Sequence, residues 1–185
     1  MSTRAPRRDA LRNRAHLIAV ATQAFREQGL QVGVDEIARR AQVGIATLYR
    51  HFPTKGDLVV AVSTELLRET ERVRDEVLAG SASGDELSRF LHASLEQLQL
   101  NRGFVEALAQ HPPDPEIRQR MRARMVELLT PLVQRAHATG ELHDGLDAVD
   151  LVIAFRMLGA GSTPDVGRPP ERYLALLLAG LRAGV

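Results

Sequence analysis

Residues 35–52, DEIARRAQVGIATLYRHF, decide how this chain folds. Ile37, Ala38 and Ala41 gather on one side of a short helix, with Asp35 and Glu36 at the end where the helix dipole favours negative charge. Gln42-Val43-Gly44 interrupts the pattern, and a second short helix is expected from Ile45 to Phe52. Pro53 ends that helix, and Thr54 suits the cap of the next one. Leu48 and Phe52 lie four apart and face inward, while Val43 can plug the turn from beneath. Ala46, Thr47, Arg50 and His51 are left on the outer side, small at the tip and polar beyond it. Two short helices across a tight turn, the second with a small, polar outer face, form a helix-turn-helix that can approach base edges in a major groove.

Upstream, Leu11, Ala15, Ile18, Ala21 and Phe25 mark one apolar face of a helix that stops near Gly29. Downstream, a fourth helix is expected over Lys55–Leu78, with Leu58, Val62, Leu66 and Val73 directed inward. GSASG (80–84) is a flexible connector. Helices follow over Asp85–Leu100 and Gly103–Gln110, then a rigid turn, HPPDPE (111–116), with Asp114 as N-cap and Pro115 at the first helical position. A long helix runs to about Thr139, with a possible kink at Pro131, and two more cover 148–158 and Glu171–Arg182. The expected fold is all-α with about nine helices. A three-helix helix-turn-helix domain (1–55) precedes a helical domain (56–185).

Charge separates the same two regions. The net charge is +1, but residues 1–55 hold ten basic side chains against four acidic ones, a net of +6, which leaves −5 for the remainder. A basic front and an acidic rear suit a chain whose first domain meets a polyanion. Arg4, Arg7 and Arg8 form a candidate basic arm, and Arg39 and Arg40 are candidate groove-side charges. The absence of cysteine excludes disulfides, thiolate metal sites and a cysteine nucleophile. The most apolar stretch, Leu174 to Leu181, is too short to span a bilayer. The basic N-terminus leads into no apolar signal core, so a cytoplasmic location away from the membrane is expected.

The segment GIATLYRHFPTKGDL (44–58) resembles the recognition helix and start of the fourth helix in the TetR family, and DEIARRAQV (35–43) resembles the preceding helix and turn. With Phe25 to Gly29 matching the usual end of the first helix, the resemblance covers residues 11–60. It implies a sequence-specific regulator of double-stranded DNA, commonly a repressor released by a small molecule. It also implies phosphate contacts for Thr47, Tyr49, His51 and Lys55, and base-edge contacts for Ile45, Ala46 and Arg50. Lys55 is the only lysine beside 23 arginines, at a helix N-terminus that attracts phosphate. The chain departs from the family at Gln42, where glycine is usual and a left-handed backbone is expected. It departs again at Gly33 and Gly44, where a hydroxyl cap is common.

Leu151, Val152, Phe155 and Leu158, with Leu174, Leu177, Leu178 and Leu181, offer more apolar surface than one small domain hides. In the TetR family the last two helices form a four-helix dimer interface. The resemblance thus implies a homodimer through Leu151, Phe155, Leu158, Leu174, Leu177, Leu178 and Leu181. It also implies an effector pocket among the helices of 85–139, with Phe90, His92, Phe104, His111, Met121 and Met125 as candidate lining and the two histidines as polar fixtures. Other classes fit less well. His137, His143, Asp144 and Asp147 lack the i, i+4 spacing of a helical zinc site, so neither a metal nor a cofactor is expected. With no strand there is no phosphate-binding strand–loop–helix and no nucleophile elbow, so no enzyme is expected. The remaining alternative, a helical interaction module without DNA binding, would lack the outer polar residues of 46–51.

Overall fold

The computed structural model describes residues 4–80, 82–110, 112–161 and 168–183. Among them are nine α-helices and no strand. They are α1 (Arg4–Gln28), α2 (Val34–Arg40), α3 (Ile45–His51), α4 (Lys55–Leu78), α5 (Glu86–Leu100), α6 (Arg102–Gln110), α7 (Pro115–Thr139), α8 (Ala148–Gly161) and α9 (Pro170–Ala183). A 3₁₀ turn, Gly29–Gln31, links α1 to α2. The helix order follows the sequence expectation, and α7 continues through Pro131. Two compact units emerge: Met1–Leu67 with Asn101–Pro113, and Arg68–Leu100 with Asp114–Val185. The first unit therefore extends beyond residue 55. Leu58, Val59, Ala61 and Val62 of α4 and Phe104 of α6 belong to its core.

In the first unit, α1 buries Leu17, Ile18, Ala21, Ala24 and Phe25. Its N-terminal part carries Leu11 at 69% exposure, so the apolar stripe begins later than spacing suggested. Ile37 and Ala38 of α2 and Leu48 of α3 pack into the same core, with Phe52 just beyond α3. Val43 packs half-buried against this cluster, as a plug beneath the turn. Thr54 and Asp57 cap α4 reciprocally. The Asp57 amide donates to Thr54 Oγ1 at 3.1 Å, and the Thr54 amide donates to Asp57 Oδ2 at 2.9 Å.

Gln42 has φ 55°. It takes the left-handed conformation that lets its amide reach the Arg39 carbonyl (3.1 Å) and the Val43 amide reach Ala38 (3.1 Å). A side chain there opposes a conformation that only glycine adopts freely. After the smaller entropy cost of glycine is subtracted, Gln42→Gly should stabilise the protein by about 0.5–1 kcal/mol. Thermal denaturation checks this, and a lower melting temperature in the variant contradicts it.

In the second unit, α5 packs on α7 and α9, and α8 packs on both α7 and α9. Gly140 ends α7 with φ 70°, and its amide reaches back to Ala136 and His137. That turn delivers Glu141, which is buried and accepts the amides of Leu87 (2.9 Å) and Ser88 (2.8 Å) at the start of α5. Glu86 folds back onto the amides of Ser83 (2.7 Å) and Gly84 (3.0 Å). The Ser83 amide above all holds the Glu86 carboxyl below its ordinary pKa. Two carboxylates thus satisfy amides around one helix N-terminus and fasten α5 to the segment after α7. At the other end of α5, Gln99 donates to Glu171 at the start of α9 (2.9 Å).

Candidate functional site

With Leu48 fully buried and Phe52 1% exposed, α3 is locked in rotation about its axis. Ile45, Ala46, Tyr49 and Arg50 then form its exposed face, with Ile45 and Tyr49 at 37% and 46% exposure. Of the predicted contact residues, Thr47 and His51 are half-buried. His51 Nε2 is enclosed without a hydrogen-bond partner. A small, apolar and cationic face of this kind suits base edges: aliphatic groups meet thymine methyls, and an arginine fork meets guanine.

Lys55 is less free than its sequence position suggested. Its Nζ donates to the Leu30 carbonyl at 2.5 Å, joining the start of α4 to the 3₁₀ turn. Burial pushes its pKa below the ordinary lysine value. One of its three N–H donors is used in this way, leaving two that can meet a phosphate.

The arginines of α2 are partly neutralised. Arg39 pairs with Glu36 at 2.8 Å, and Arg40 bridges Glu36 (2.8 Å) and Glu27 (2.6 Å). These guanidiniums, Arg39 first, bring the Glu36 carboxyl down to a pKa of about 2. All four groups are charged at neutral pH, and the local field seen by a distant phosphate is much smaller than a count of arginines implies.

Sequence reasoning passed over Arg14. Its guanidinium carbon lies 5.1 Å from the centroid of the Phe52 ring, which holds a cation beside the end of α3. No local pattern announces this contact, because it joins α1 to a residue brought near only by packing.

The candidate pocket residues do not form one group. Phe104 stacks on Phe25 at 5.6 Å in the core of the first unit, so it cannot line a cavity within the second. His92 is exposed, with Nδ1 2.8 Å from the Ser88 carbonyl of its own helix, which removes it as an interior fixture. His111 lies outside the described residues. Phe90 is buried on α5, and Met121 and Met125 are half-buried on α7.

The dimer residues also divide. Leu151, Leu158, Leu174 and Leu181 are at most 7% exposed within the protomer and leave little surface for a partner. Phe155, Leu177 and Leu178 are half-buried. The exposed apolar side chains are instead Val149, Ile153 and Met157, four apart on α8, and Leu176 on α9. Near the loop after α7, His137 Nε2 lies 2.9 Å from the Leu146 carbonyl, and His143 Nδ1 accepts the Gly145 amide at 3.1 Å. These histidines secure a turn.

Comparison with known proteins agrees with this architecture. Residues 17–62 match the model of bacterial regulatory proteins of the tetR family, and residues 82–183 match the SbtR-like transcriptional regulator C-terminal domain. A TetR transcription regulatory protein from Mycobacterium vanbaalenii is 32% identical, with 95% of this chain and 98% of that one covered at a TM-score of 0.70. A TetR transcriptional regulator from Streptomyces coelicolor is 28% identical over 91% of this chain and 98% of its own, with a TM-score of 0.63. An HTH-type transcriptional regulator from Staphylococcus aureus is 40% identical over 53 residues, which span 28% of this chain and only 29% of that relative.

Proposed function

Because the chain belongs to the tetR family of bacterial regulatory proteins, we propose that it is a repressor that binds operator DNA as a homodimer and releases it when a small molecule binds its C-terminal unit. The observation that carries the DNA reading is the exposed face of α3, where Ile45, Ala46, Tyr49 and Arg50 stand clear of the core. Thr47, His51 and Lys55 are its flanking phosphate contacts, with Arg14 added from α1. A two-fold dimer places two such helices in successive major grooves, roughly 34–36 Å apart. The interface that fits is the exposed apolar row of Val149, Ile153 and Met157, with Leu176. Among the described residues no helix is long and apolar enough to cross a membrane, which is compatible with action on DNA in the cytoplasm.

The test uses the chain's own upstream DNA in a fluorescence-anisotropy titration across salt concentrations. A dimer with roughly 6–10 phosphate contacts loses about 10³–10⁵ in affinity between 50 and 200 mM salt. Lys55→Ala should weaken all sequences about equally and lower the salt slope by about one per protomer. Arg50→Ala should relax sequence preference at one base position in each half-site and cost about 1–3 kcal/mol there. Unchanged affinity and slope in Lys55→Ala would remove Lys55 from the interface. Failure of the wild-type chain to prefer any sequence would remove the reading itself.

Release by an effector requires that the ligand favour the DNA-free form. A change from 99% to 1% occupancy needs about 10⁴-fold differential affinity. Two elements offer a route. α4 runs from one compact unit into the other, and α6 belongs to the first unit while chain on both of its sides belongs to the second.

A further inference from the structure

Within the first unit, the 3₁₀ turn Gly29–Gln31 joins two features that are far apart in sequence. α6 packs on the turn, and the Leu30 carbonyl of the turn accepts the Lys55 ammonium at 2.5 Å. The approach of α6 is close. A Cβ built on Gly29 would fall 3.5 Å from the Ala107 Cβ and 3.5 Å from the Gly103 carbonyl oxygen, and Ala107 is 8% exposed. The side chains of Leu30 and Leu108 both pack against the core that contains Phe104. The turn has little of its own to hold it. It is three residues long, no side chain caps its start, and 3₁₀ hydrogen bonds are poorly aligned. Its position is set chiefly by the two helices that pack on it, α1 and α6.

A lysine side chain is long and flexible, and a contact with phosphate must first restrict it. The Leu30 carbonyl does this in advance, because it takes one N–H of Lys55 and leaves two for a phosphate. We propose that α6 is a positioning element for DNA binding: by holding the Gly29–Gln31 turn, with Ala107 as the side chain that meets it, α6 keeps the Leu30 carbonyl where it orients Lys55. When α6 shifts, the turn moves with it and the lysine regains its rotamers. DNA affinity then falls while the exposed face of α3 is unchanged. This deepens the DNA-binding reading given above and rests on Lys55 as a phosphate contact.

The test is a double-mutant cycle on the full-length protein, read by anisotropy on the operator duplex. Ala107→Val adds two methyl groups beside Gly29 and should bind about two- to tenfold more weakly per protomer, the range of one side chain's rotamer freedom. In the Lys55→Ala background the same substitution should cost nothing further, because the side chain through which it acts is gone. Ala107→Gly withdraws the contact instead of crowding it, and is read in the same cycle should the valine variant not fold. A second readout follows Lys55 directly, since the chain has a single lysine and lysine labelled at its ε-carbon and Nζ gives one set of NMR signals. In wild type the ammonium should titrate below the ordinary lysine value, because burial lowers it. In Ala107→Val it should move up toward that value while helicity is kept. Equal losses in both backgrounds, or a Lys55 signal that does not move, overturn the role of α6 and leave Lys55 as a phosphate contact. A Lys55→Ala protein with wild-type affinity removes Lys55 from the interface, and this proposal with it.

Discussion

Ile153→Arg is expected to yield a folded monomer that has lost about 10²–10⁴-fold in operator affinity. The side chain is 51% exposed in the protomer and lies between Val149 and Met157 on the outer row of α8. An arginine there meets only water while the chain is alone, so helicity and protomer folding should persist. In the proposed dimer the same charge is buried without a counter-ion, which an apolar interface does not tolerate. Each protomer then holds one half-site by itself, and the advantage of the second binding event is lost. Light scattering reports the mass, and anisotropy on the operator reports the affinity. Leu174→Arg is the informative contrast, because Leu174 is fully buried within the protomer and its replacement should unfold the second unit outright. A dimeric Ile153→Arg protein with normal DNA affinity would place the interface elsewhere.

The second large effect is expected at Gly103. A Cβ built on this residue falls 2.7 Å from the Arg26 carbonyl oxygen and 3.3 Å from that of Phe25. Both are backbone atoms of α1, and neither can swing aside. Glycine is therefore what allows α6 to lie directly against α1. Phe104 stacks on Phe25 beside it, and Arg26 Nε donates to Asn101 Oδ1 at 2.7 Å. Gly103→Val should force the two helices apart, at a cost of about 1–3 kcal/mol in the first unit. The melting temperature should fall by roughly 2–4 °C for each kcal/mol. Because α6 is the part of the first unit whose flanking chain lies in the second, the variant should also respond more weakly to effector. A variant with unchanged melting temperature and full effector response would show that α6 need not touch α1.

The helix order was legible because its signals are local. Pro53 and Gly140 mark helix ends through their own backbone preferences, and Thr54 marks the start of α4 through its side-chain cap. The left-handed backbone at Gln42 was expected from the resemblance, because the family usually places glycine there, and its φ of 55° agrees. Leu48 and Phe52 fix the rotation of α3, so Ala46 and Arg50 were read as outward from the sequence, whereas Thr47 and His51, read with them, are half-buried and Ile45 and Tyr49 stand exposed instead.

The exposed row on α8 was not legible in this way. Val149, Leu151, Val152, Ile153, Phe155, Met157 and Leu158 surround most of that helix, and an apolar stripe this wide has no unique inward side. Packing on α7 and α9 chose Leu151, Val152 and Leu158 for the core and left Val149, Ile153 and Met157 outside. Phe104 shows the same limit. The sequence reading placed it among candidate pocket residues, whereas the glycine beside it and the close approach to α1 put it in the core of the first unit. Charge divides: Glu36 pairs with Arg39 and Arg40 at i,i+3 and i,i+4 within α2, a local pattern, whereas the pair of Arg40 with Glu27 exists only because α1 packs beside α2. The sequence by itself determined the helices and the helix-turn-helix, because these depend on residues within a turn or two of each other. Tertiary structure alone decided which apolar side chains remain for a partner, in which core Phe104 is buried, and that Arg40 reaches Glu27, because each of these depends on what a distant helix brings near.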